Sequence, residues 1–330
     1  MDNLGQTSDN IHLSEAQNNT RTVSTSIAVN CNPGVLRRLQ ELVSASLSSN
    51  TRRAYMADLS HFIDAGGQIP ATPEMVAVYL SRFSDDLAVS TLTRRLATIS
   101  KVHKANGWQS PCKSELVRSA MRGLQRLKES SPKQAKPLCR EDLFLVLDCM
   151  AGTLKDKRDR ALLLTGFAGG FRRSELIGLD WDDVHEVREG VVINLRRSKT
   201  DQAGNGRKVG IPLGRTRHCP VRALNFWREA SHDTGKALFR PVDRMDRIQE
   251  QRLSGDAVPY IIRGRMREAG LDPTGFSGHS LRAGFATSAA KAGVAAYKIR
   301  QQTGHKSDAM LERYIRDGEL FDGNAAASLL

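Results

Sequence analysis

Three short segments in the second half of this 330-residue chain put ionic side chains where plain helix or loop patterning would not. The first is Gly169-Gly170-Phe171-Arg172-Arg173-Ser174-Glu175-Leu176. Glycines ahead of a helix start let backbone approach a ligand, and the free N–H groups there favour an anion. An arginine at that point adds a two-pronged phosphate contact. The second is Gly278-His279-Ser280-Leu281-Arg282-Ala283-Gly284, with small residues continuing to Ala290. His279 and Arg282 are three apart and share a helix face. A cation beside an imidazole makes a poor metal site and a good phosphate site. The third runs from Gly304 and His305 to Tyr314. Gly304 suits a left-handed helix end, which leaves His305 in a loop. Ser307 or Asp308 then starts a short helix carrying Met310, Leu311 and Ile315, with Tyr314 on the side of Leu311.

Each segment alone has an ordinary alternative: a surface Arg–Glu pair, a packed histidine, a core tyrosine. Together, and with Lys199 near a hairpin turn, they suggest one chemistry. Cleaving a phosphodiester without a metal needs a nucleophile, cations on the non-bridging oxygens and an acid for the leaving oxygen. A metal-dependent nuclease needs clustered carboxylates instead. Asp180, Asp182 and Asp183 cluster after a helix, away from other acids, and read as a cap or turn. No metal and no cofactor is expected.

The elements that must position these groups follow from periodicity. Val191, Ile193 and Leu195 alternate, as do Val209, Ile211 and Leu213, on either side of a polar stretch containing Asn205-Gly206; this is a β-hairpin. Arg158 to Leu164 reads as a helix interrupted at Gly166, Gly169 and Gly170, with a new helix from Phe171-Arg172. Arg140-Glu141-Asp142 opens another, with Leu143, Leu145, Val146 and Met150. From Asp256 the chain is helical, broken at 270–278, Gly293 and Gly304.

The first half is wholly helical. Val35, Leu36, Leu39, Leu42 and Val43 form a stripe. Asn50-Thr51 reads as an N-cap, followed by Tyr55, Leu59, Phe62 and Ile63. Thr72-Pro73-Glu74 starts a helix that buries Met75, Val78, Tyr79 and Leu80. Ser90 opens a helix with Leu92, Leu96, Ile99 and Val102 inward and Arg94, Arg95, Lys101 and Lys104 outward, ended by Gly107. Ser114 caps a last helix with Val117, Met121, Leu124 and Leu127. Residues 1–32, rich in Asn, Thr, Ser and Gln, read as a disordered tail, and 129–137, with two prolines, as a linker. The domains are thus 33–128 and 138–330.

Composition sets the class. Hydrophobic residues make up 40% and charged residues 26%, as in globular proteins. No apolar run is long enough for a membrane span, and the N-terminus lacks the pattern of a secretory signal. Cys31, Cys112, Cys139, Cys149 and Cys219 are scattered, which argues against a disulfide framework or a cysteine zinc site and for a cytoplasmic setting. The net charge is +13. Residues 1–32 hold three acids and one arginine, so the rest carries an excess of +15. Such an excess suggests a polyanionic partner, nucleic acid above all.

The order and spacing of these motifs resemble the tyrosine recombinases, or phage-type integrases, from about Val35 to the C-terminus. Gly-Phe-Arg-Arg-Ser-Glu-Leu, Ser-Lys-Thr at 198–200, His-x-x-Arg at 279–282, Gly-His at 304–305, and Tyr314 nine residues after His305 carry the likeness. Residues 50–59 are similar to the family's helical core-binding domain. The chain looks most like the two-domain, Cre-like members.

The resemblance implies a mostly α protein: a small helical, SAM-like core-binding domain and an α+β catalytic domain with a small antiparallel sheet or hairpin. Tyr314 would attack the scissile phosphate and hold it as a 3′-phosphotyrosine. Arg172 and Arg282 would clamp the non-bridging oxygens. Lys199 would protonate the leaving 5′ oxygen, with Lys208 the alternative. His279 would move the tyrosine's proton, and His305 would hydrogen-bond the phosphate. Glu175 would orient its neighbours, and Arg173 is a candidate to share the work of Arg172. Arg52, Arg53, Arg94, Arg95, Lys101, Lys104 and Arg173 are the candidate DNA contacts.

The implied partner is double-stranded DNA bearing a short recombination site. The implied assembly is a homo-tetramer on DNA, joined through the apolar C-terminal segment and passing through a Holliday junction. A type IB topoisomerase-like activity, or a non-catalytic DNA-binding regulator on the same scaffold, are the alternatives.

Overall fold

The computed structural model of the chain describes residues 49–128, 135–196, 206–231 and 235–318. The expected tail, the stripe from Val35, most of the 129–137 linker, Lys199 and the segment 319–330 lie outside these residues. The chain divides into two compact units between Lys133 and Gln134. No helix among the described residues is long and apolar enough to cross a membrane.

The first unit contains α1 (Ser49–Asp64), α2 (Pro73–Arg82), α3 (Val89–Ala105) and α4 (Glu115–Leu127). Phe62, Val76, Tyr79, Leu80, Leu92, Ile99, Val117, Met121 and Leu124 form its core. Thr72 caps α2 by accepting from Met75 N, and Ser114 caps α4 by accepting from Val117 N. Asn50 and Thr51 are not a cap; they lie inside α1. Nor does Ser90 open α3, which starts at Val89 after Ala88 with no side-chain cap. Val78, expected inside, is exposed, and Val76 takes its place. The phase of α2 explains this: Val76, Tyr79 and Leu80 fall at i, i+3, i+4, which puts Val78 on the opposite side. Ile63 and Leu127 are also exposed.

Arg95 overturns its expectation as a DNA contact. It falls three after Leu92 and four before Ile99, on the core face, and is 9% exposed. Its guanidinium donates to Tyr79 Oη at 2.7 Å and His61 Nδ1 at 2.9 Å, with Asp58 at 3.6 Å. Neighbouring Arg94 is half exposed and grips Asp58 with two bonds of 2.7 and 2.9 Å. Burial pushes the Asp58 carboxyl up, but the bonds and charge of Arg94 outweigh it and hold it below its ordinary value. Lys101 is exposed, 5.1 Å from the Tyr55 ring centre, and Lys104 is exposed one turn on.

The second unit contains α5 (Arg140–Asp148), α6 (Leu154–Ala168), α7 (Arg173–Gly178), β1 (Val184–Val187), β2 (Gly190–Leu195) and β3 (Arg207–Pro212). It continues with α8 (Pro220–Ala230), α9 (Ala257–Glu268), α10 (Ser280–Lys291), α11 (Ala296–Thr303) and α12 (Glu312–Gly318). The sheet is antiparallel in the order β1-β2-β3, with Ile193 opposite Val209 and Leu195 opposite Arg207. The hairpin strands were legible from alternation; β1, short and mostly exposed, was not. Asp180 and Asp183 close a 3-10 turn in which Asp183 accepts from Asp180 N, so this acidic run is a cap.

Two glycines explain how the helices come close. Gly166 does not interrupt α6: a Cβ there would sit 2.8 Å from both Leu176 and Leu281, so its bareness seats α7 and α10 against α6. Gly284 in α10 faces backbone, and a Cβ would stand 1.7 Å from Leu138 O. A contact that short cannot be relieved by turning a side chain. Gly284→Ala is therefore expected to destabilise the protein by about 3 kcal/mol or more, the upper end of overpacking costs. Gly123→Ala, in α4 with nothing within 4 Å of its Cβ, should stabilise it by roughly 0.5–1 kcal/mol. Denaturant titrations of the two variants check this opposite sign.

Candidate active site

The last turn of a helix leaves its carbonyl oxygens unsatisfied and partially negative. At α11 those oxygens are taken by arginines from three distant parts of the second unit. Arg207 on β3 donates to Gln301 O at 3.2 Å and Gln302 O at 2.6 Å. Arg282 on α10 donates to Thr303 O and, at 2.8 Å, to Gly170 O. Arg172, at the start of α7, donates to Gly304 O at 3.2 Å. The chain turns at Gly304, whose φ of +68° is the left-handed conformation expected of it.

Glu175 is the acid of this cluster. Arg172 Nη1 donates to one of its oxygens at 2.6 Å and Arg172 N to the other at 2.9 Å, while Arg207 Nη2 stands 3.6 Å away. Two guanidiniums thus share one carboxylate in a largely buried place, with Arg282 held beside them by backbone carbonyls. Burial, with Arg172 next, pushes the Arg282 guanidinium down to about 10. Burial also lowers Arg207, with Glu175 opposing and Arg172 adding to the effect. Arg282 Nη2 and Arg207 Nη2 are buried without a hydrogen-bond partner.

His305 follows directly. Its Nδ1 lies 2.7 Å from Thr303 Oγ1, and its ring centre 6.1 Å from that of Tyr314. Burial, then Arg282, Arg172 and Arg207, push the imidazole down to about 3, so it is neutral at physiological pH. Tyr314 on α12 is half-buried, packed with Ile315 on Ala286, Ala290, Ile299 and Leu311. His279 stands at the N-terminal end of α10, exposed.

Of the residues picked from sequence, the structure brings together Arg172, Glu175, Arg282, His305 and Tyr314. Arg173 turns elsewhere: it pairs with Asp256 at 3.1 Å and lies along Gly278. Lys208 is exposed and alternates with the inward Arg207, Val209 and Ile211, on the opposite face of β3. That face removes it as an alternative to Lys199, which itself lies outside the described residues.

Arg207 was missed. The signal was present, because an arginine two residues before Val209 continues the buried face of an alternating strand. Among the described residues no group of three His, Cys, Asp or Glu could hold a metal ion.

The buried neutral histidine has a consequence for acid stability. The unfolded chain takes up this proton near 6.5, the folded chain only near 3. Stability from His305 is therefore complete above about pH 6.5 and is lost as the pH falls from there toward 3. Melting temperatures across that window should fall more steeply for the native protein than for His305→Gln.

Residues 141–319 match the phage integrase family. An integrase/recombinase xerD homolog of Selenomonas ruminantium is 38% identical over 299 residues, covering 88% of this chain and 86% of that protein. The recombinase cre of Escherichia phage P1 is 26% identical over 268 residues, covering 75% and 77%. A lambda integrase dimer bound to a COC′ core site has the same fold, with a TM-score of 0.61 at 19% identity over 86% of this chain and 94% of that one. A family match over more than half the chain, and a relative aligned along most of its length, leave one conclusion: this chain belongs to the phage integrase family, the tyrosine recombinases.

Proposed function

We propose that this protein is a site-specific recombinase that breaks and rejoins duplex DNA with Tyr314 as nucleophile. The observation that carries the reading is the meeting of Arg172, Arg207, Arg282 and His305 at the end of α11, with Tyr314 beside them. A pentacoordinate phosphorane carries more negative charge than the diester it forms from, so fixed cations there lower the barrier. Arginine suits the task because it stays charged and offers a planar fork of donors. Arg282 Nη2, buried without a hydrogen-bond partner, is a donor that such an oxygen would satisfy.

In this reading Arg172 and Arg282 hold the non-bridging oxygens, and Glu175 keeps Arg172 in place. Lys199 protonates the departing 5′ oxygen. His279 and His305 supply the proton acceptor for the tyrosine and a further contact at the phosphate. The covalent 3′-phosphotyrosine conserves the energy of the broken bond, so rejoining needs no nucleotide cofactor. Two sites exchanged by a tetramer through a Holliday junction, with residues 319–330 joining protomers, complete the scheme. Arg52, Arg53, Lys101 and Lys104 contribute phosphate contacts from the first unit.

The test uses duplexes with a randomised core and a nick that lets the cleaved end diffuse away. Denaturing gels should show a covalent protein–DNA adduct, which Tyr314→Phe abolishes; an adduct surviving that change would sink the assignment. Arg282→Ala should slow adduct formation by about 10²–10³, the scale for losing one transition-state donor. Lys101→Ala and Lys104→Ala should weaken DNA binding and each lower the salt slope by about 0.9. Arg95→Ala should instead lower the melting temperature, because it empties a buried network.

A further inference from the structure

β3 is the edge strand of the described sheet, and its inward residues Val209 and Ile211 are buried and apolar. Arg207 stands on the same face, two residues before Val209 and opposite Leu195. An apolar residue there would extend the core without desolvating a charge. The guanidinium is instead disfavoured by burial, with Glu175 opposing and Arg172 adding to the effect. What it gains is a hold on one place. Its Nη1 donates to Gln301 O at 3.2 Å and to Gln302 O at 2.6 Å, two carbonyls that the end of α11 leaves open. It also lies against Gly304, where an added Cβ would stand 2.9 Å from it.

Gln302 ties the same two elements in the opposite direction. From α11 its Nε2 donates to Gly210 O on β3 at 3.0 Å. The same group donates to Ala168 O, at the end of α6, at 2.9 Å. A strand side chain thus grips the helix backbone, and a helix side chain grips the strand backbone. One tie would let α11 pivot; two ties running opposite ways, at two places on β3, do not.

We propose that Arg207 and Gln302 are positioning residues for strand cleavage: they join β3 to the last turn of α11, so that Gly304 and His305 leave the helix at a fixed place beside Arg172 and Arg282. This role rests on the strand-cleavage reading above, and adds to it two side chains that need not touch DNA. Arg172 and Arg282 also reach this turn, at Gly304 O and Thr303 O. In the cleavage reading, however, those two must answer to a phosphate as well. A joint independent of them keeps the turn in place while their own bonds are redistributed. The demand is strict, because a displacement of about 1 Å near reacting atoms can cost 10²-fold in rate.

The test uses the duplex captured from the randomised pool and the full-length protein. At saturating protein, Arg207→Met and Gln302→Met should each slow adduct formation by about 10²-fold, with DNA affinity unchanged. The double variant should be no slower than the slower single, because either substitution already opens the joint. Arg207→Lys, which keeps a donor for the two carbonyls, should recover most of the rate. Gln302 is only half-buried, so Gln302→Met keeps the test open even where Arg207→Met does not fold. A second arm needs no activity. Hydrogen exchange without DNA should be faster in both methionine variants at the Gly304 amide, which is bonded to Arg300 O at 2.7 Å, and unchanged in α10.

A double variant slowed by the product of the singles, about 10⁴-fold, would show two separate roles and overturn the joint. Singles that cleave at the native rate, or unchanged exchange at Gly304, would overturn it too. A loss of DNA affinity in Arg207→Met would make Arg207 a phosphate contact instead. Absence of any adduct from the native protein would overturn the recombinase reading, while the exchange arm would still decide whether the joint exists.

Discussion

Like charges crowded out of water repel, and the candidate site is built on the means of holding three arginines together in spite of that. Arg172, Arg207 and Arg282 converge on the carbonyl end of α11, and the first two share one carboxylate, Glu175. The oxygens from Gln301 to Gly304 serve as an anion made of backbone. They offset part of the charge without adding a group that could compete permanently for a phosphate. Much else answers to this demand. Gly304 must turn left-handed, where any Cβ would meet the Arg207 guanidinium at 2.9 Å. Gly170, with φ +56°, presents its carbonyl to Arg282 and leaves room for the Thr303 methyl.

The same crowding tunes the neighbours. Burial, with neighbouring arginine charge adding to it, lowers Arg282, Arg207 and His305 alike, so one arrangement supplies both fixed cations and a neutral imidazole. Helix packing supplies the precision. Gly166 lets α7 and α10 seat their leucines against α6, Gly284 lets the Leu138 backbone lie against α10, and α12 docks Tyr314 on the alanines of α10. The first unit handles a buried charge differently: Arg95 and Asp58 are kept in a closed network with Tyr79, His61 and Arg94, where every partner is internal.

Periodicity and cap chemistry are local, so they could be read directly from residues. Thr72 and Ser114 announced their helices, Gly304 its left-handed turn, and the alternation at 191–195 and 209–213 its hairpin. The motifs around Arg172, Arg282, His305 and Tyr314 were legible as well, because each pairs a rare residue type with a helix boundary. Helix phase was legible in principle and misjudged at Val78 and Arg95, where a β-branched residue and a cation masked the true face. Arg207 went unnoticed because a strand's inward face is normally apolar.

Sequence alone settled the inventory: a basic chain, a helical first half, an α+β second half, and a set of groups able to work on a phosphodiester. Only the tertiary structure decided who stands next to whom. Arg207 reaches Glu175 across 32 residues, and Arg172 reaches Gly304 across 132, through contacts that no local pattern encodes. The same holds for the surroundings of His305. Its Nδ1 meets a threonine hydroxyl that also reaches the carbonyl one helical turn behind it, and its neutrality comes from burial and from three arginines that only folding brings together.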